Sequence, residues 1–147
     1  PLSEVSAWDL STDALRIARD NAASLHAVVD FRQQDALHAP MEDREKWDLI
    51  TSNPPYVMEK ERREMADNVL RHEPSLALFV PNDDPLRFYR AIARYGKHAL
   101  RPGGTLLFEI NHLLAEDMLR LLEDESYQHV QLIADAFGKS RFTKATI

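Results

Sequence analysis

With 147 residues, of which 44% are hydrophobic and 29% are charged, the chain has the length and composition of one globular domain, and we expect residues 1–147 to form a single domain. Its formal net charge of −6 counts against direct nucleic acid binding, which depends on clustered Lys and Arg. The absence of cysteine and the scattered positions of six histidines exclude disulfides and predict no metal site. With no apolar run of membrane-spanning length and no signal segment, the chain is predicted to be cytoplasmic and to have no membrane partner.

The first predicted elements are a short strand and a helix. Residues 5–8 have the apolar character of a strand, and Asp9 stands at its carboxyl end. Ser11 or Thr12 can cap the helix that follows, because a hydroxyl group accepts a hydrogen bond from a free N–H of the first turn. Apolar residues at helical spacing predict the buried face of this helix: Leu15, Ala18, Ala22 and Leu25.

Two further strands are predicted over residues 27–31 and 47–52, and both lead into polar residues. Asp35 follows the first of these strands, and Asn53 follows the second. Asp9, Asp35 and Asn53 thus stand at three strand ends, which is where open α/β sheets place their ligands. The pattern therefore predicts a ligand site at this edge of a sheet.

The segment Asn53-Pro54-Pro55-Tyr56 is the strongest functional signal in the chain. Each proline fixes its own φ and keeps the preceding residue out of the helical region, so the backbone leaves the strand stiff and extended. The Asn53 side chain and the Pro54 carbonyl can then act as two acceptors beside the flat ring of Tyr56, which suits a planar NH2 group. Holding both hydrogens of such a nitrogen aims its lone pair at an electrophile. The alternative is that the segment only ends a strand, with Asn53 as a turn former.

Residues 57–82 interrupt the alternation of strands and helices, and an insertion at a strand end is typical of a lid. Within it, residues 59–71 are dense in charge and predict a helix. The remaining pattern predicts a helix from Pro85, a strand over 105–110, a helix over 113–125 and strands over 127–134 and 141–147. The strand over 105–110 is apolar on both faces, which is typical of a parallel sheet covered by helices on both sides. These elements predict an α/β fold with an open, doubly wound, mostly parallel sheet and an antiparallel last strand.

Taken together, these residues resemble the class I S-adenosylmethionine-dependent methyltransferases, and within that class the HemK-type enzymes. HemK-type enzymes methylate the glutamine side chain of bacterial peptide chain release factors. The resemblance is carried by Asp9, by Gln34-Asp35, by Asp48-Leu49-Ile50-x-Ser52-Asn53-Pro54-Pro55-Tyr56, by Glu73-Pro74-x-x-Ala77-Leu78 and by Pro102-Gly103-Gly104 before Glu109. It implies a Rossmann-like fold and S-adenosylmethionine as the cofactor.

The resemblance also implies which residues contact the cofactor. Asp9 would hold the ribose hydroxyls, and Asp35 and Ala36 would lie beside the adenine. Asn53 is placed among the cofactor contacts as well. For Asp9 and Asp35 the alternative is an ordinary turn or loop aspartate.

For catalysis, the resemblance assigns the site to Asn53, Pro54, Pro55 and Tyr56. Asn53 and the Pro54 carbonyl would hold the glutamine NH2, and Tyr56 would pack against the amide plane. The implied reaction is N5-methylation of the glutamine in the Gly-Gly-Gln loop of a release factor, by direct in-line displacement. Because Asn-Pro-Pro-Tyr is shared with adenine-N6 DNA methyltransferases, an amino methyltransferase that acts on a flipped nucleobase is the first alternative.

Three departures from the family pattern are informative. Members carry a glycine-rich loop on a first strand and a helical domain before it, and neither is found in this sequence. We therefore expect an amino-terminally truncated catalytic domain that lacks the first strand and its loop. A catalytically silent fragment of the fold is accordingly the second alternative. The family also usually has a glycine where this chain has Asn111.

Overall fold

The computed structural model describes residues 3–64 and 75–147. The chain divides into two compact units, Pro1–Ala39 and Pro40–Ile147. Within the described residues, every helix is too short or too polar to span a lipid bilayer.

The first unit is one strand-helix-strand element. Strand β1 (Ser6–Asp9) leads into helix α1 (Thr12–Ser24), and β2 (Asp30–Gln33) pairs in parallel with β1. The Ser11 side chain caps the helix, since its hydroxyl oxygen accepts a hydrogen bond from the Ala14 N–H at 3.2 Å. The predicted strand, helix and cap are therefore confirmed.

Two details of this unit differ from the prediction, and both follow from the end of α1. His26 has a φ of 53°, and the N–H groups of His26 and Ala27 donate back to the last helical turn at 3.1 and 2.9 Å. This arrangement is the usual left-handed helix stop. Leu25 consequently projects into solvent at 78% exposure instead of joining the buried face. The following strand begins at Asp30, so the strand predicted over 27–31 starts too early.

The second unit is built on a four-stranded mixed sheet. Its strands are β3 (Trp47–Ser52), β6 (Leu100–Glu109), β7 (Gln128–Ala134) and β8 (Ser140–Thr146), in the order β3-β6-β8-β7. Strands β3 and β6 are parallel, and β8 is antiparallel to both of its neighbours. The predicted α/β sheet with an antiparallel last strand is confirmed.

Two helices cross over between the parallel strands of this sheet. Helix α3 (Arg87–Ala99) precedes β6, and α4 (Ala115–Asp124) joins β6 to β7. Both crossovers run in the same direction across the sheet, and the right-handed rule then places both helices on one face. The buried side chains on this face include Tyr89, Ile92, Tyr95, Leu106, Phe108, Ile110, Met118, Leu121, Leu122 and Ala145.

The opposite face of the sheet carries half-buried side chains. On β6, Leu106 and Phe108 are fully buried on the helix side, while Leu107 and Glu109 point to the other side and are half-buried. Leu49 of β3 is 56% exposed. Within the described part of this unit, α3 and α4 cover one face of β6.

The insertion contributes short elements. The pair β4 (Val57–Met58) and β5 (Phe79–Val80) is parallel, Glu59–Glu64 forms a 3-10 helix, and α2 (Ser75–Leu78) is a single turn. The helix predicted over 59–71 is thus a 3-10 helix as far as Glu64. Residues 65–74, which include Glu73-Pro74 of the family pattern, lie outside the described residues.

Candidate active site

The Asn-Pro-Pro-Tyr segment leaves the sheet at the carboxyl end of β3. Strand β3 ends at Ser52, as predicted. In the sheet, Ser52 lies opposite Phe108 of β6. Asn53 is exposed, Pro54 is buried and Pro55 is half-buried. Within the described residues, the Asn53 side chain makes no hydrogen bond, so its amide oxygen is available to a ligand. A buried proline beside an exposed amide gives a site that is anchored on one side and open on the other.

Tyr56 is held from the end of the neighbouring strand. Its hydroxyl group donates a hydrogen bond to Oε1 of Glu109 at 2.9 Å. Its backbone carbonyl accepts a hydrogen bond from Nδ2 of Asn111 at 3.3 Å. Glu109 is the last residue of β6, and Asn111 follows two residues later. Ring and backbone of Tyr56 are therefore both attached to the same strand end.

The protonation state of Tyr56 follows from this environment. Burial raises the pKa of Tyr56 above its ordinary value, and the hydrogen bond to Glu109 and the negative charge of Glu109 raise it further. The positive charge of Arg141 and a hydrogen bond that its guanidinium group donates act in the opposite direction, but the pKa stays raised. The hydroxyl group therefore keeps its proton at neutral pH. Tyr56 acts here as a donor to Glu109 and as a ring, and it does not act as a base.

Glu109 is itself fixed by a second tyrosine. The Tyr89 hydroxyl group donates to the backbone carbonyl of Glu109 at 3.0 Å. The Tyr89 ring meets the Phe108 ring edge to face, with centroids 5.2 Å apart and an interplanar angle of 88°. Burial raises the pKa of Tyr89 well above its usual range, so this donor is also protonated at neutral pH. The backbone of Glu109, whose carboxylate orients Tyr56, is thus held in place by a buried tyrosine.

Asn111 joins the segment to the insertion. It is only 7% exposed, and its Nδ2 donates to both carboxylate oxygens of Glu61, at 3.1 and 3.0 Å, as well as to Tyr56. Its Oδ1 accepts from the Leu113 N–H at 3.0 Å. Glu61 in turn accepts from the Met58 N–H at 3.4 Å. The sequence pattern marks Asn111 only as a departure from glycine, and it does not identify Glu109 or Glu61 as contacts of the site.

We expect Asn111→Ala to lower the free energy of unfolding by about 1–3 kcal/mol, because the part-buried Tyr56 carbonyl and the Glu61 carboxylate would lose their shared donor. Urea denaturation measures this change.

The matched control is Asn82→Ala. Asn82 is exposed, and its Oδ1 accepts from the Lys60 N–H at 3.0 Å. Lys60 lies in the 3-10 helix Glu59–Glu64, which also contains Glu61. Water can replace that acceptor, so the change should stay within about 0.5 kcal/mol. Equal losses in the two variants would contradict a special role for the buried amide.

The acidic candidates Asp9 and Asp35 lie in the first unit, at the carboxyl ends of β1 and β2. Oδ1 of Asp9 accepts from the Ser11 N–H at 2.7 Å. Within the described residues, Oδ2 of Asp9 makes no hydrogen bond, and it is available to a ligand hydroxyl group. Asp9 therefore combines the turn role of an ordinary aspartate with one free acceptor.

Both carboxylate oxygens of Asp35 make contacts within its own loop. Its Oδ1 accepts from the Leu37 N–H and its Oδ2 contacts Nδ1 of His38, both at 2.9 Å. These contacts cap a 3-10 helix over Ala36–His38, of which Ala36 is the first residue. Asp35 therefore fits the alternative of a structural loop aspartate better than Asp9 does.

The sheet and the segment after β3 define an α/β protein with the fold of the class I S-adenosylmethionine-dependent methyltransferases. A methyltransferase from Pyrococcus furiosus superposes with a TM-score of 0.64 at 16% identity, over 97% of this chain and 61% of that one. An S-adenosylmethionine-dependent O-methyltransferase from Thermotoga maritima superposes with a TM-score of 0.66 at 11% identity, over 98% and 49%. At these identities the likeness concerns the fold. The chain belongs to the family described as Methyltransferase small domain, whose model matches residues 1–76.

Curated relatives narrow this class. The release factor glutamine methyltransferase of Bacteroides thetaiotaomicron is 52% identical over 145 residues, which are 99% of this chain and 52% of the relative. The enzyme of the same name from Flavobacterium psychrophilum is 39% identical over 145 residues, which are 98% and 50%. The chain is thus a homologue of release factor glutamine methyltransferases, and the resemblance read from the sequence is confirmed. It spans about half the length of these relatives.

Proposed function

We propose that the protein that carries this chain methylates the amide nitrogen of the glutamine in the Gly-Gly-Gln loop of a peptide chain release factor, with residues 1–147 as part of one catalytic domain. The observation that supports this most directly is the exposed Asn53 amide at the stiff end of β3, which is unpaired within the described residues. The names of the curated relatives supply the substrate class.

The reacting nitrogen is held by two acceptors of the segment. Oδ1 of Asn53 and the carbonyl oxygen of Pro54 would each accept one hydrogen of the glutamine NH2. An amide nitrogen is a weak nucleophile because its lone pair is delocalised, and orienting both of its hydrogens directs the lone pair toward the methyl donor. The same acceptors stabilise positive charge that develops on the nitrogen. The stiffness that Pro54 and Pro55 give to the backbone reduces the reorganisation that this grip requires.

Tyr56 would form one wall of the amide pocket. Its ring is oriented by the hydrogen bond from its hydroxyl group to Glu109 at 2.9 Å. An aromatic face beside the amide plane excludes water and restricts rotation of the glutamine side chain. Glu109 acts through Tyr56 in this scheme and is a positioning residue.

In the first unit, the Asp9 side chain has the chemistry to contact S-adenosylmethionine. Oδ2 of Asp9, which has no hydrogen-bond partner among the residues that the structure describes, lies at the carboxyl end of β1 and suits the ribose hydroxyl groups, which need an acceptor. Asp35, whose oxygens are both engaged, and Ala36 would border the adenine mainly through their backbone and through loop shape. When bound, S-adenosylmethionine would supply an electrophilic methyl group: a carbon–nitrogen bond forms as the carbon–sulfur bond breaks, the sulfur leaves as a neutral thioether with the electron pair, and the nitrogen loses one proton to solvent.

A protein substrate agrees with the charge of the chain better than a nucleobase does. The formal net charge is −6, and nucleic acid binding draws on clustered positive charge. Since release factors act at the ribosome, we also propose that the protein is cytoplasmic.

The test is a transfer assay with methyl-labelled S-adenosylmethionine and the gene product that carries this chain. A release factor should be labelled, and the same release factor with the loop glutamine changed to glutamate should not. An adenine-containing oligonucleotide serves as the competing substrate. Label on the oligonucleotide alone would favour a nucleobase methyltransferase, and label on neither would overturn an enzymatic role.

A further inference from the structure

Phe137 is the most exposed of the large aromatic side chains in the described part of the second unit. It stands at the tip of the hairpin that joins β7 to β8, and 90% of its surface is accessible. A single exposed apolar residue is common on protein surfaces and needs no explanation by itself. What distinguishes Phe137 is the construction of the turn that carries it and the position of that turn on the sheet.

The turn is held together around the Asp135 carboxylate. Oδ1 of Asp135 accepts from the N–H groups of Phe137 and Lys139, at 2.9 and 3.1 Å. The Asp135 N–H donates to the Lys139 carbonyl at 2.8 Å, and the Gly138 N–H donates to the Asp135 carbonyl at 3.0 Å. Gly138 has a φ of 78°, a conformation that glycine adopts without strain. The backbone under the Phe137 ring is therefore fixed before any partner arrives.

The charge state of the turn agrees with this construction. The pKa of Asp135 is lowered, first by the hydrogen bond from the Lys139 backbone and also by that from Phe137, with the nearby charges of Arg141 and Lys139 acting in the same direction. The carboxylate thus remains ionised and keeps both backbone donors at neutral pH.

A rigid aromatic side chain loses little conformational freedom on binding, which is why such residues dominate protein interfaces.

The hairpin tip lies at the same edge of the four-stranded sheet as the Asn-Pro-Pro-Tyr segment. Strand β6 ends with Glu109 opposite Phe142 of β8, and the Ile110 N–H donates to the Arg141 carbonyl at 2.9 Å. The Arg141 side chain lies 3.7 Å from Asp135, and the same side chain influences the pKa of Tyr56. The turn and the end of β6, whose Glu109 holds the Tyr56 hydroxyl group, are therefore neighbours at one end of the sheet.

From this geometry we propose that Phe137 is a docking contact for the protein substrate, outside the reacting glutamine. The ring would pack on an apolar side chain of the release factor surface that flanks the Gly-Gly-Gln loop. This inference rests on the proposed function. A polypeptide is the occupant that the chemistry favours, because the formal net charge of −6 counts against a nucleic acid, and an exposed ring suits an apolar side chain of a protein surface.

The test separates substrate affinity from turnover. In the gene product that carries this chain, Phe137→Ala should raise KM for the intact release factor by about tenfold, the effect of losing roughly one interface anchor. The values of kcat and of KM for S-adenosylmethionine should not change. Methylation of a short Gly-Gly-Gln peptide, which lacks the flanking surface, should also be unaffected. Phe137→Leu keeps an apolar side chain and should recover most of the affinity.

The matched control is Met41→Ala. Met41 is 46% exposed and lies in the turn that precedes β3, so its loss should leave every parameter unchanged. An unchanged KM for the release factor in Phe137→Ala, or an equal rise with the short peptide, would overturn the docking role alone. Failure of the unaltered protein to methylate either substrate would overturn the proposed function and the docking role together. Preferential crosslinking of Phe137 to an oligonucleotide would also overturn the docking role.

Discussion

Asn53→Ala in the gene product that carries this chain is expected to lower kcat for release factor methylation by about 100- to 1000-fold, with the dissociation constant of S-adenosylmethionine nearly unchanged. Asn53 would contact the substrate amide through its side-chain oxygen, and alanine offers no acceptor in its place. Pro54 would still accept one hydrogen of the NH2 group, but the nitrogen would be free to turn about that contact. Single-turnover methyl transfer measures the loss.

Asp9→Ala gives the complementary result. Removal of the Asp9 carboxylate should weaken S-adenosylmethionine binding, while transfer at saturating cofactor changes little. A cofactor titration of both variants separates the two roles. Near-normal turnover by Asn53→Ala would show that the amide grip is wrong, and that the segment only ends β3.

Phe108→Ala is expected to lower the free energy of unfolding by about 3–5 kcal/mol. The Phe108 ring is 0% exposed, it meets the Tyr89 ring at a centroid distance of 5.2 Å, and it lies in the middle of the face that both crossover helices cover. Its loss removes buried apolar surface and leaves a cavity that the surrounding helices cannot fill. Urea denaturation, with the slope held in common between variants, gives the value.

The same substitution at Phe137 is the control for this measurement. Because Phe137 is 90% exposed, Phe137→Ala should change the free energy of unfolding by less than about 0.5 kcal/mol. Similar losses at the two positions would contradict the burial pattern described for the sheet. The control also shows that the affinity test at Phe137 is made on a folded protein.

Local chemistry explains the features that the sequence alone predicts well. Strand β3 and its end at Ser52 follow from an apolar run and two prolines, neither of which needs a distant partner. The helix start at Ser11 is likewise a local matter, since one hydroxyl group serves the next turn of the same helix. The antiparallel last strand follows from two strands without a helix between them.

The end of α1 shows where the periodic pattern lacks information. Leu25 continues the helical spacing of the apolar face, yet the helix stops before it can be buried. The stop depends on His26 adopting a left-handed conformation with a φ of 53°, which a residue other than glycine adopts only when the surrounding hydrogen bonds support it. Spacing alone therefore places Leu25 in the core and starts the next strand too early.

The environment of Tyr56 was decided by the tertiary structure. Glu109 lies 53 residues away along the chain and Asn111 lies 55 residues away, and their side chains carry no local signal for the contact. Parallel pairing of β3 with β6 places Ser52 opposite Phe108, so the residues that follow each strand meet at one edge. The sequence alone determined the segment that would grip an amide. Only the register of two strands determined which carboxylate and which buried amide hold that segment in place, because register depends on how whole strands pack.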